Sequence, residues 1–157
     1  IIISPAYKSA NGKFDLVDLE IIPSKLKALP DKIYGRPFPG LNIDNLPLFV
    51  PILTQARGQT LVHDWVYENR AIYYTELNKL GADITLHDPH RVTVNGPTTM
   101  KPAEIICPPA LRPAINLLIC MLAAHGKSVL YNSYSIDRGY EKIEERLRAV
   151  GVQITRQ

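Results

Sequence analysis

A chain of 157 residues, 46% of them hydrophobic and 21% charged, fits one ordinary globular domain with a real core and excludes a wholly disordered segment. A formal charge of +3 and a pI near 8.9 suit anionic small molecules and fall short of the footprint of a dedicated nucleic-acid binder. The most apolar run, Ala114 to Ala124, is too short to cross a bilayer, no signal peptide is expected, and the opening Ile1-Ile2-Ile3 reads as the start of a piece cut from something longer.

In chain order, "IIISPAY" (Ile1 to Tyr7) and "FDLVDLEIIP" (Phe14 to Pro23) read as strands. "PSKLKALPDKIYGRPFPG", with four prolines, reads as an extended connector that holds no long helix. A helix over "LPLFVPILTQA", Gly58, a strand, a short loop, a second helix and Gly81 follow. "ITLHDPHRVTVNG" then reads as a hairpin turning at Asp88-Pro89, and "AEIICP" as a further strand. After it the pattern recurs. Gly58 to Thr85 aligns with Gly126 to Thr155, with two extra residues in the second copy, and upstream "NIDNLPLFVPILTQARG" faces "ALRPAINLLICMLAAHG" at the same offset. Two copies of one supersecondary unit explain this most simply. The expected fold class is α/β (α+β), a repeated β-α-β-α-β-β module with sheet on one side and helices on the other. Its divisions are a preceding tail over 1–43, a first unit over 44–100 and a second over 101–157, together one domain.

Equivalent positions of the repeat carry charge. Asp44 and Arg112 precede or open the first helix of each copy, and Arg70 and Arg138 open the second. In the last helix, Ile143, Leu147 and Val150 recur at amphipathic spacing and Asp137 is the natural N-cap. Arg138 is then a cation at the positive end of a helix, which an anion-binding role would justify: helix N-termini with added arginines attract carboxylates and phosphates. Its structural alternative is a pair with Glu141 or Glu144. Asp44 is a candidate base near such arginines or, in the plainer reading, the N-cap of its helix. Cys107 and Cys120 read as reduced and buried, His87 and His90 lack a third metal ligand, and Trp65, Tyr67, Tyr73, Tyr74, Tyr131 and Tyr134 read mostly as packing residues. No phosphate-loop, dinucleotide or nucleophile-elbow motif is present.

The segments "FPGLNIDN" (Phe38 to Asn45), "WVYENR" (Trp65 to Arg70), "ALRPA" (Ala110 to Ala114) and "IDRGYEKIEERLRAVGVQI" (Ile136 to Ile154) resemble the carboxy-terminal portion of the UDP-N-acetylglucosamine 1-carboxyvinyltransferase family, an enolpyruvyl transferase family of peptidoglycan precursor synthesis. The resemblance implies part of an inside-out α/β barrel of such units and a missing amino-terminal domain as partner. It implies transfer of enolpyruvate from phosphoenolpyruvate to the sugar 3-hydroxyl by addition and elimination. Asp44 corresponds to the proposed base and contacts the sugar, Val66 to a main-chain sugar contact, Arg112 and Arg138 to arginines at the phosphoenolpyruvate end, and Arg70 to a further substrate-site arginine. Neither cofactor nor metal is implied, nor nucleic acid or membrane, and the location is cytoplasmic. Two departures stand out. Ala110 replaces an aspartate usual in the family, and Asn42-Ile43 replaces a Pro-Thr pair. The isolated chain is therefore expected not to turn over, and the alternatives are a noncatalytic ligand-binding or structural relative and an enzyme acting on 3-phosphoshikimate.

Overall fold

The computed structural model describes residues Ile1–Gln157. Four two-residue strands open the chain, β1 (Ile2–Ile3), β2 (Tyr7–Lys8), β3 (Asp15–Leu16) and β4 (Leu19–Glu20). β1 pairs with β4 and β2 with β3, both antiparallel, so the two stretches expected as strands fold against each other in two-residue pieces. No residue before Ile33 is buried. The connector holds no helix, and it contributes a strand of its own: β5 (Ile33–Tyr34) lies parallel to β6 (Gly58–His63).

β6 pairs antiparallel with β8 (Arg91–Gly96), which pairs in turn with β7 (Asp83–Asp88), giving the order β5-β6-β8-β7. Alternation places Thr60, Val62, Ile84, Val92 and Val94 on the covered face. Under them lie helix α1 (Leu46–Leu53) and a 3-10 helix over Arg70–Leu80, and helix α2 (Leu111–Ala123) packs against both. The α2 residues from Pro113 to Leu118 are all buried, together with Cys120 and Met121, so this helix is central rather than amphipathic. β9 (Glu104–Ile106) runs parallel to β10 (Val129–Tyr131), repeating the relation of β5 to β6.

One contact between the copies follows from a proline. Pro51 inside α1 has no N–H, so the carbonyl four residues back, that of Pro47, loses its helical partner. Asn116 of α2, 1% exposed, donates its Nδ2 to that oxygen at 2.9 Å. The freed acceptor thus stays satisfied in the core. Glycines mark the repeat in the backbone: Gly58 and its counterpart Gly126 have φ of +116° and +127°, and Gly81 and Gly151 have +90° and +92°. Side chains rarely adopt that region, so glycine recurs where each unit turns the same corner.

Three local expectations are corrected. The first copy's second helix is 3-10, because its buried residues Ala71, Tyr74, Leu77 and Leu80 recur at every third position, the period of three residues per turn. In the second copy the helix expected after Asp137 begins only at Ile143, as α4 (Ile143–Ala149), and a separate short helix, α3 (Tyr134–Asp137), precedes it. Asp137 ends α3 instead of capping a helix, and its carboxylate takes a two-pronged hydrogen bond from Arg156. Gly139 in the break lies so close to Leu111 that an added Cβ would sit 2.5 Å from that side chain, and Val150 is 77% exposed.

Candidate functional site

Asp44 lies between β5 and α1. It is not the N-cap: Asn45 holds that position, and neither residue makes a side-chain capping bond. The Asp44 N–H donates to Asn42 Oδ1 at 2.8 Å, and its carbonyl accepts from Arg112 Nε at 3.0 Å. Its half-exposed carboxylate accepts one hydrogen bond, from the Tyr67 hydroxyl to Oδ1 at 3.2 Å, with Arg70 Nη1 at 3.8 Å from the same oxygen. Oδ2 has no protein partner. Backbone and one oxygen are fixed, and one oxygen is left for a proton or a ligand.

Arg70 opens the 3-10 helix after Asn69 in the left-handed region, as its sequence position implied, yet it is no free anion receptor. It is 8% exposed, its Nε and Nη2 donate to the two carboxylate oxygens of Asp64, and Nη2 also reaches the Ile43 carbonyl at 2.9 Å. The Tyr74 hydroxyl donates to the same carboxylate. Burial opposes the charge of Arg70, yet the Asp64 hydrogen bond and charge hold its pKa above the usual value. Burial, then the Asp64 charge, pushes the Tyr74 phenol well above its ordinary range. The Tyr67 ring covers the guanidinium at 4.2 Å and joins this buried trio to Asp44.

Val66 follows β6 and is exposed, on the wall of an open cleft of about 400 Å³ shared with Phe38, Asn42, Ile43 and Trp65. The Trp65 indole N–H donates to the Gly35 carbonyl at 3.0 Å and ties the loop after β6 to the connector. Arg112 stands in the first turn of α2, as expected, behind Ala110 as a cap without a side-chain bond. Arg138 is the C-cap of α3, not the start of a helix. It is exposed and pairs with neither Glu141 nor Glu144, and no hydrogen bond joins it to Asp44, Arg70 or Arg112. Its neighbour Gly139 touches Leu111, which sets it beside the α2 N-terminus. Asp44, Arg70 and Arg112 are thus brought together, Val66 borders them, and Arg138 stands near the α2 N-terminus without a hydrogen bond to any of them.

Asp64 is the residue that sequence reasoning missed. The alternation of β6 carries a signal for it: Thr60, Val62 and Asp64 occupy successive inward positions, and a carboxylate on a buried face requires a counter-charge. His87 and His90, weighed as metal ligands, are spent otherwise, on Thr93 Oγ1 and on the Asp64 carbonyl.

Comparison with known proteins agrees with this architecture. A family model described as EPSP synthase (3-phosphoshikimate 1-carboxyvinyltransferase) matches residues 12–147. Among curated relatives, UDP-N-acetylglucosamine 1-carboxyvinyltransferase of Porphyromonas gingivalis is 41% identical over 126 residues, 79% of this chain and 29% of that protein. The enzyme of the same name from Gloeobacter violaceus is 37% identical over 138 residues, 88% of this chain and 29% of the relative. The chain therefore spans less than a third of the length of the relatives it matches. Among solved structures, the enolpyruvyl transferase NikO from Streptomyces tendae superimposes with a TM-score of 0.77 at 26% identity, over 90% of this chain and 32% of that one. EPSP synthase from Acinetobacter baumannii shares the fold alone, with a TM-score of 0.71 at 16% identity over 99% of this chain and 37% of its own.

Proposed function

The chain belongs to the EPSP synthase (3-phosphoshikimate 1-carboxyvinyltransferase) family of enolpyruvyl transferases, and from that membership we propose that it forms the part of a UDP-N-acetylglucosamine 1-carboxyvinyltransferase that activates the acceptor sugar. Transfer of enolpyruvate from phosphoenolpyruvate to the 3-hydroxyl of UDP-N-acetylglucosamine, as a cytoplasmic step of peptidoglycan precursor synthesis, is the reaction this reading assigns to the whole enzyme. The observation that carries it is the state of Asp44, a carboxylate with one oxygen engaged by Tyr67 and the other open to a ligand.

In this reading Asp44 Oδ2 takes the proton of the sugar hydroxyl, whose oxygen adds to C2 of phosphoenolpyruvate as the C3 methylene gains a proton, and loss of a C3 proton together with phosphate then restores the double bond. The open cleft at Val66 receives the sugar against the loop main chain. Arg112, at the positive end of α2, balances negative charge on the transferring group. Arg138 reaches the same anion when the absent domain closes. The units fall at 44–100 and 101–157, with 1–43 as the tail of a preceding one, although pairing of β5 with β6 draws the connector toward the first unit.

The test is an NMR titration of the chain with UDP-N-acetylglucosamine and then phosphoenolpyruvate, following the amides of Asp44, Val66, Arg112 and Arg138. Shifts clustered at these four support the assignment. Shifts with shikimate 3-phosphate alone would move it to the other acceptor, and none up to millimolar ligand would favour a noncatalytic module.

A further inference from the structure

We propose that Asp64 is a positioning residue for Asp44: it clamps the guanidinium of Arg70 so that Arg70 faces Asp44 without closing on it. The inference rests on the reading of Asp44 as the proton acceptor. Arg70 offers three donor nitrogens, and Asp64 takes Nε and Nη2 in the two-pronged geometry that suits a carboxylate best. Ile43 takes a second proton of Nη2. Only Nη1 remains for Asp44, and its 3.8 Å separation is beyond hydrogen-bond length. The Tyr67 ring, stacked on the guanidinium, resists its rotation, while the hydroxyl of the same side chain holds Asp44 Oδ1.

The clamp is itself anchored. Asp64 has no exposed surface, its N–H donates to the His90 carbonyl at 2.8 Å, and the His90 ring nitrogen Nδ1 lies 3.1 Å from its carbonyl. Tyr74 supplies a further donor to its carboxylate from the 3-10 helix. Arg70 therefore meets Asp44 as a cation already balanced by a buried anion. Without Asp64, the arginine would swing onto Asp44 in the same fork, occupy both oxygens and leave no lone pair for a hydroxyl proton.

The experiment compares the chain, labelled with 13C at aspartate carboxyls and 15N at arginine Nε, with Asp64→Asn, Arg70→Lys and a core control, Leu77→Ala. In the parent, Arg70 Nε–H should give one slowly exchanging signal. Asp64→Asn should speed its exchange at least about tenfold, shift the Asp44 carboxyl resonance and weaken UDP-N-acetylglucosamine about tenfold. Arg70→Lys keeps the charge but not the fork, so it carries the same expectation for Asp44 and decides the matter if Asp64→Asn does not fold. Leu77→Ala lowers stability and leaves the Asp44 resonance in place. An unmoved Asp44 carboxyl in folded Asp64→Asn, or in Arg70→Lys, overturns the inference. An Asp44 signal in the parent that ignores UDP-N-acetylglucosamine defeats the acceptor-site reading instead, a different result from a different sample.

Discussion

Ala110 is a residue whose effect reaches in two directions. It occupies the N-cap of α2 with φ −122° and ψ 133°, the extended conformation a capping side chain needs, but makes no capping bond. Ala110→Asp should raise the unfolding free energy by about 0.5–2 kcal/mol, by capping the first turn and answering the dipole, and urea denaturation measures it. An unchanged midpoint would mean that Arg112 draws the new carboxylate away from the turn. Tyr74 gives a pH prediction. Its phenol has a higher pKa folded than the unfolded value near about 10, so its contribution to stability is complete below that pH and is lost as pH rises toward the folded value. Tyrosinate absorbance near about pH 10.5 should accordingly be the same in the folded parent and in Tyr74→Phe, and should separate them once both are unfolded. A difference between the folded proteins at that pH would show the phenol already ionised.

Among the elements, α1 and α2 depend on each other through Pro51 and Asn116. Asn116→Ala should cost about 1–3 kcal/mol, because the Pro47 carbonyl is left buried and unpaired. In a Pro51→Ala background the helix can satisfy that carbonyl itself, so the same change should cost clearly less, and a double-mutant cycle read by urea denaturation decides it. Equal costs would mean the amide acts by packing alone. At this scale the sequence was legible where one period ruled. The hairpin of β7 and β8 followed from alternation, and the helix of α2 from an apolar run interrupted only at Asn116. The 3-10 helix was not legible as such, because Tyr73 and Tyr74 are adjacent and the three-residue spacing beginning at Ala71 shows only once burial is known. The break between α3 and α4 was hidden for a related reason. Asp137 and Gly139 satisfy a capping pattern, while the contact that decides the matter is with Leu111, far off in the chain.

Taken whole, the molecule has a firm body and a loosely held beginning. The core starts at Ile33, and the preceding segment keeps its apolar side chains, Ile3 and Leu19 of its strands among them, largely exposed. Hydrogen exchange should therefore show little protection over residues 1–25 and strong protection in β6, β8 and α2, whereas uniform protection would imply contacts beyond those described. The chain's share of its relatives' length, less than a third, bears on activity. The chain alone should release no phosphate from UDP-N-acetylglucosamine and phosphoenolpyruvate, and measurable release would show that it carries the reaction unaided. Of the candidate site, the charged positions were legible through the repeat and the resemblance, since Asp44, Arg70 and Arg112 converge. The division of labour among them was not: Arg70 turns inward because the buried carboxylate of Asp64, six residues back at the end of β6, demands it, a relation visible only when β6 is folded.

Trp65, pinned by its indole N–H to the Gly35 carbonyl, joins the two walls of the cleft at Val66, and it is the chain's one tryptophan. Ultraviolet emission excited beyond the absorption of the tyrosines thus originates at the rim of the candidate site. Wavelength and intensity become an unlabelled gauge of how wide that cleft stands, readable in a cuvette as ligands are added or as the loop after β6 is cut away from the connector.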